Sequence, residues 1–338
     1  MLRLNPPVHS VPDNFWHTVF IGLVASFFVW QTGQQLIELL LTDGPVTAVE
    51  QGLLEGEGHP VQLWISSLAG EGDPLLWNRV LALSGWLFSL GLIIKSIKQQ
   101  SGFVGSLPSW LLLFTFPGFS AWMSSAGSGS WGIYFFLKAF YTVNGNETKA
   151  PLIRGGVLAA LAVLIHPIWM LPSLGVMAGC WEAFRYRLKW VASGFAALWV
   201  PGVMLFLLLV PDGLGYLLPG PAASRLTDLP MGELALRHIL LVVIFILLVV
   251  YGALRRGVGW WTLVLSLPLL MAEPFLASGT ETVLIPLLVF ASIGLAKLPV
   301  VLDVRFPRMY QTVLLCQFLL WMPVYLDLRP IYLYPLLP

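Results

Sequence analysis

The feature that most constrains this chain is its long stretches without charge. From Trp190 to Val210, and again from Ile239 to Leu254, no Asp, Glu, Lys or Arg interrupts the apolar run. About 20 such residues in helical form cross the hydrocarbon core of a bilayer. The rest of the chain agrees. Of its 338 residues, 57% are hydrophobic and only 10% are charged, against about 25% charged in soluble domains. Mean hydropathy is +0.82. These values exclude a soluble enzyme, a disordered chain and a nucleic-acid binder, each of which needs more polar or basic surface. Net charge is +1, so no strongly charged partner is implied. Cys180 and Cys316 both sit in apolar runs and read as buried free thiols outside any disulfide framework. Met1 to Asn14 is polar with prolines, and the first apolar run reads as a permanent anchor.

The expected class is all-α, a polytopic bundle of about 11 transmembrane helices forming one membrane domain over residues 1–338. The expected spans are Phe15–Leu41, Val80–Ile97, Leu107–Met123, Trp131–Val143, Leu152–Ile165, Ile168–Phe184, Trp190–Val210, Ile239–Leu254, Trp260–Phe275, Val283–Ala296 and Met309–Leu326. Leu152–Phe184 reads either as one long helix or as two short ones broken at His166-Pro167. Charge asymmetry favours two. With the N-terminus inside, the cytoplasmic side then collects Arg3, Lys95, Lys98, Lys149, Arg154, Arg185, Arg187, Lys189, Arg255, Arg256, Lys297, Arg305 and Arg308. The opposite side receives only Arg79, Arg225, Arg237 and Arg329. With one pass, the later segments flip and the split becomes nearly even. Proline at 167 also supports a break, since it cannot donate to the helix ladder. Lys138, inside a span, is expected to snorkel to the cytoplasmic interface.

Most acids fall on the external side in this topology, a bias that insertion does not demand. It reads either as a solvated rim or as a sign of chemistry on that face. The longest external segment is 42–79, and parts of it, Val46–Leu54 and Pro60–Leu68, read as amphipathic helix along the membrane surface. A second external loop covers 211–237. The lean loops suggest a bacterial inner (cytoplasmic) membrane.

An ordered set of motifs carries a family resemblance. Asp43 follows the first span. AVEQGLLEGEGHP, GDPLLWNR and VLALSGWLF come next. Further on stand GGVLAALAVLIHPIWMLPSLGVM, where a small-residue helix breaks at a basic residue plus proline, and TETVLIPLLVFASIGLA. In this order the segments resemble the polyprenyl-phosphate-sugar-dependent transferases of the glycosyltransferase C fold, such as protein O-mannosyltransferases and lipid A aminoarabinose transferases. The chain departs from them in having Asp-Gly after the first span, where an acidic pair is usual. It also has Glu281 where a basic residue would precede the late span.

The resemblance implies a lipid-linked sugar donor, polyprenyl phosphate, entering from the bilayer, and an acceptor on the external face. Asp43 takes the position of the catalytic carboxylate. The chemistry needs a base close to the attacked carbon in a partly dry site; the other reading of Asp43 is an N-cap for the helix after Pro45. Glu50 is either a second carboxylate or surface. Arg79 matches the family's arginine at the second span, and a planar, permanently charged fork suits phosphate; its other reading is an interfacial anchor. His166 is either a functional polar group within the bundle or a packing histidine. Arg225, Arg237 and His238 are the remaining external basic groups able to bind the lipid phosphate. Glu55, Glu57 and His59 alternate in EGEGH and would point one way in an extended strand, yet two glycines loosen that loop, so no metal site is assigned. No resident cofactor is expected. Expected partners are membrane lipids, the lipid-linked sugar and other membrane subunits, with no nucleic acid.

Two other functions compete with a glycosyltransferase. One is a non-catalytic subunit of a larger membrane assembly built on the same bundle. The other is a transporter, ranked last because only one broken segment is visible, whereas transporter repeats usually supply two. Asn146-Glu147-Thr148 matches a glycosylation sequon, but this topology places it in the cytoplasm.

Overall fold

The computed structural model describes residue 67, residues 74–105, 129–183, 185–209 and 258–268, and residue 289. Among the described residues every regular element is helical and no strand occurs. The helices are α1 (Pro74–Gly105), α2 (Gly129–Gly145), α3 (Lys149–Ile165), α4 (Met170–Ala183), α5 (Arg185–Leu209) and α6 (Val258–Ser266). A 3-10 turn, Pro167–Trp169, lies between α3 and α4. Among the described residues, two helices are long and apolar enough to cross a membrane, over Leu76–Ile93 and Arg185–Leu208.

Six of the eleven expected spans fall on these helices, with different limits. α1 begins before Val80 and runs past Ile97, and α5 begins at Arg185 rather than Trp190. Apolar windows stop where charge begins, but helix does not, because Lys and Arg are good helix formers. The expected spans Phe15–Leu41, Leu107–Met123, Ile239–Leu254 and Met309–Leu326 lie outside the described residues, as does nearly all of Val283–Ala296.

Backbone chemistry sets the break between α3 and α4. Proline disfavours helical geometry in the residue before it, and His166 is extended at φ −151°, ψ 118°. The His166 backbone N–H still donates to the Ala162 carbonyl at 3.0 Å, closing α3, and Trp169 N–H donates to the His166 carbonyl at 3.2 Å, starting the 3-10 turn. The His166 ring receives the Ile168 N–H on Nδ1 at 3.4 Å. One residue therefore ends one helix and starts the next.

The chain reverses at this break. α3 and α5 are parallel, because equivalent levels of each touch. At their starts, Lys149 Nζ lies 4.1 Å from the Trp190 ring centroid and Arg187 pairs with Glu147. Further along, Gly194 meets the Ile153 backbone and Gly202 meets the Leu164 side chain. α4 joins the end of α3 to the start of α5, so it must run back against both. At 1.5 Å per residue, α3 rises about 25 Å and α4 about 21 Å, which matches a return trip. α2 is antiparallel to α3: Gly155 touches Val143 near one end of α2, while Gly132 lies on the Trp169 indole at the other.

Small residues let α3 and α5 approach closely. A Cβ on Gly156 would collide with the Val191 carbonyl, and one on Gly194 with the Ile153 carbonyl. Gly155, Ala159, Ala160 and Ala162 continue the buried surface of α3. Such small-residue seams are how helices associate in an apolar solvent, where hydrophobicity cannot draw them together. α2 supplies the bulk of the core. Ile133, Phe136, Leu137, Phe140 and Val143 are fully buried at spacings of three and four, which places them on one face. Phe136 stacks on Trp169 with centroids 4.7 Å apart. α1 and α2 are joined by hydroxyl and indole bonds: Ser89 Oγ to the Ser130 carbonyl at 2.7 Å, Ser130 Oγ to the Ala82 carbonyl at 3.0 Å, and Trp131 Nε1 to the Leu81 carbonyl at 3.0 Å. α4 packs on α6 through Gly175, which sits on the backbone of Trp261 and Thr262.

Candidate functional site at the reversal end of the bundle

Arg79 lies in the second turn of α1, just before the Leu81–Ala82 carbonyls that receive Trp131 and Ser130 from the start of α2. Gly132, next along α2, touches the Trp169 indole just after His166. The chain of contacts brings Arg79, the start of α2 and the His166–Trp169 reversal to one end of the bundle. Arg79 and His166, separated by more than eighty positions in sequence, are the two sequence-chosen phosphate ligands within the described residues. Asp43, Glu50, Arg225, Arg237 and His238 lie outside them. So does the EGEGH loop, and among the described residues no group of three His, Cys, Asp or Glu side chains could hold a metal.

Arg79 is 5% exposed and its neighbour Asn78 4%. An interfacial anchor keeps its head in water, so this burial fits an internal role better than an anchoring one. His166 is half-buried, and its Nδ1 is engaged in holding the 3-10 turn. With Nδ1 accepting, a neutral ring carries its proton on Nε2, the nitrogen a phosphate would meet.

Sequence reasoning missed two further groups. Trp169 Nε1 and Ser173 Oγ are buried and have no hydrogen-bond partner among the described residues. They are four residues apart, which places them on one side of the turn that opens α4. Buried donors are nearly always paired, and each exception asks for a reason. An indole N–H only donates and a hydroxyl both donates and accepts, so together they suit an acceptor oxygen. The available signal was a Trp and a Ser spaced i, i+4 directly after a His-Pro break; it was hidden because both types also occur as plain packing residues in apolar helices.

The other end of the bundle has opposite chemistry. Lys149, Arg154, Arg185, Arg187 and Lys189 gather where α3 and α5 begin and α4 ends. Lys138 is half-buried and lies at the middle of α2. Cys180, near the end of α4, is a buried free thiol; Cys316 lies outside the described residues.

No family model, no curated protein and no solved structure matches the chain.

Proposed function

We propose that this chain is a multi-pass integral membrane glycosyltransferase of the glycosyltransferase C type. It has about eleven passes and a cytoplasmic N-terminus, and it lies in a bacterial inner membrane. It moves a sugar from a polyprenyl-phosphate donor to a hydroxyl acceptor on the external face. The observation that supports this reading best is the convergence at one end of the bundle. A buried arginine, a histidine at a helix break and two buried polar groups without a partner among the described residues lie at that end, away from the cation-rich end that the positive-inside rule assigns to the cytoplasm.

In this reading Asp43 takes the proton from the acceptor hydroxyl, whose oxygen attacks the anomeric carbon. The bond from that carbon to the phosphate oxygen breaks, and polyprenyl phosphate leaves. Arg79 holds the departing phosphate, with His166, Arg225, Arg237 and His238 as further candidates, and Glu50 stands as a second carboxylate.

The test is sugar transfer by the solubilised protein, together with undecaprenyl phosphate binding read by native mass spectrometry. Removal of a general base costs about 10²- to 10⁴-fold in rate, so Asp43→Asn is expected to lose at least a hundredfold while remaining folded. Near-normal turnover in Asp43→Asn would remove the enzymatic assignment. A second reading, a non-catalytic subunit of a larger membrane assembly, is favoured by the thin acid pattern, Asp43-Gly44 standing where the resembled transferases usually carry an acidic pair. Co-purification at fixed stoichiometry with other subunits, and indifference to Asp43→Asn, would select it.

A further inference from the structure

We propose that the basic-aromatic cluster at the starts of α3 and α5, opposite the His166 reversal, is a binding surface for anionic phospholipid headgroups. Three cations sit on two indoles there. Lys149 Nζ and Lys189 Nζ lie 4.1 and 5.3 Å from the centroid of the same Trp190 ring. The Arg185 guanidinium carbon lies 5.1 Å from that of Trp181.

Cation–π attraction holds each cation in place but does not cancel its charge. Two ammonium groups drawn to one ring repel each other, and the repulsion grows as the surroundings become less polar. A phosphate between them offsets both. Glu147, at this same end, pairs with Arg187, and Glu182 accepts the Trp261 indole N–H. Neither Lys149 nor Lys189 forms an ion pair among the described residues.

The surroundings favour a lipid over a free anion. Trp181 is 54% and Tyr186 48% exposed, so aromatic surface stands outward beside the cations. Tryptophan, tyrosine, lysine and arginine at the start of a span-length apolar helix are the pattern of a membrane boundary, and α5 is such a helix from Arg185 to Leu208. Basic residues at that boundary attract anionic lipids at about 1 kcal/mol each, roughly fivefold in binding. The inference rests on the membrane reading but not on the transferase chemistry, whose described residues, Arg79 and His166, lie at the other end.

The test is native mass spectrometry of the full chain in detergent, titrated with phosphatidylglycerol, phosphatidylcholine or inorganic phosphate. The wild type is expected to retain phosphatidylglycerol at least tenfold better than phosphatidylcholine, with inorganic phosphate retained poorly. The triple variant Lys149→Gln, Arg185→Gln, Lys189→Gln should lose that preference. Lys149→Arg with Lys189→Arg should keep it, which separates loss of charge from loss of fold. Lys95→Gln, which removes an exposed cation of α1, should leave it unchanged. The proposal is overturned if the triple variant keeps the preference, if Lys95→Gln lowers it equally, or if inorganic phosphate binds as well as the lipid. Carbonate extraction of native membranes separates the two failures. A chain released by carbonate is not embedded, and both readings fall. A chain that stays embedded without a lipid preference refutes only the headgroup surface.

Discussion

α3 and α5 run side by side in the same direction, yet they are built from different side chains. The buried surface of α3 consists largely of Gly155, Gly156, Ala159, Ala160 and Ala162. The outer half of α5 shows Val200, Met204, Leu205 and Leu208, exposed at 46, 61, 58 and 82%. In water the larger aliphatic groups would be the buried ones. Along this seam small side chains mark the inside, whereas α2 buries the large Ile133, Phe136, Leu137 and Phe140. When the solvent is itself hydrocarbon, apolarity does not tell a core position from a surface one, and close backbone approach becomes the source of association.

The sharpest way to break this comparison is to put size where the seam needs none. Gly156→Leu would drive a side chain into the Val191 carbonyl and the Phe195 backbone. Overpacking commonly costs about 1–3 kcal/mol, and more where the obstacle is backbone; folded protein is expected to be lost in fluorescence-detected size exclusion. Gly194→Leu should do the same from α5, against Ile153, which would show that the division lies between faces and not between helices. Full yield of either variant would refute the seam.

Trp169→Ala comes next. The indole is fully buried and stacked on Phe136, and removing a large core aromatic costs about 3–5 kcal/mol, read as a fall in thermal midpoint in detergent. Ser173→Ala is smaller and has the opposite sign. Deleting a buried hydroxyl with no partner among the described residues removes a desolvation penalty of about 1–3 kcal/mol. The free protein should therefore unfold at a higher temperature while undecaprenyl phosphate binding weakens. Leu208→Ala should move the midpoint least, by less than about 0.5 kcal/mol, because the side chain touches little of the protein.

Hydropathy made the helices around Val80, Trp131, Leu152, Trp190 and Trp260 legible, since apolar runs of that length with at most one charge have few alternatives. The turn at His166-Pro167 was legible for a different reason. Proline constrains the residue before it whatever the surroundings, and the lysine and arginine bias required the chain to turn back there. Faces were not legible. α3 is apolar almost all round, so nothing in its periodicity says that Gly156 meets one neighbour and Gly155 another. The burial of Arg79 was equally hidden, because a lone arginine at a helix start reads the same whether it points to water or inward. Of the candidate site, Arg79 and His166 can be placed at a common end; Asp43, Glu50, Arg225, Arg237 and His238 lie outside the described residues.

The tight turn at His166 also bears on how such a chain reaches its bilayer. Neither arm is a comfortable crossing by itself, at 17 and 14 residues against the 20 or so that hydrocarbon thickness asks for. Threaded singly, each would leave the insertion channel with a poor stop signal and with unsatisfied backbone groups near the proline. On the two-pass topology proposed above, the arms would enter together as a hairpin, with the 3-10 turn leading and the basic flanks on the cytoplasmic side. Biogenesis of this region is then a two-helix event, and shortening either arm would be expected to spoil the membrane integration of both.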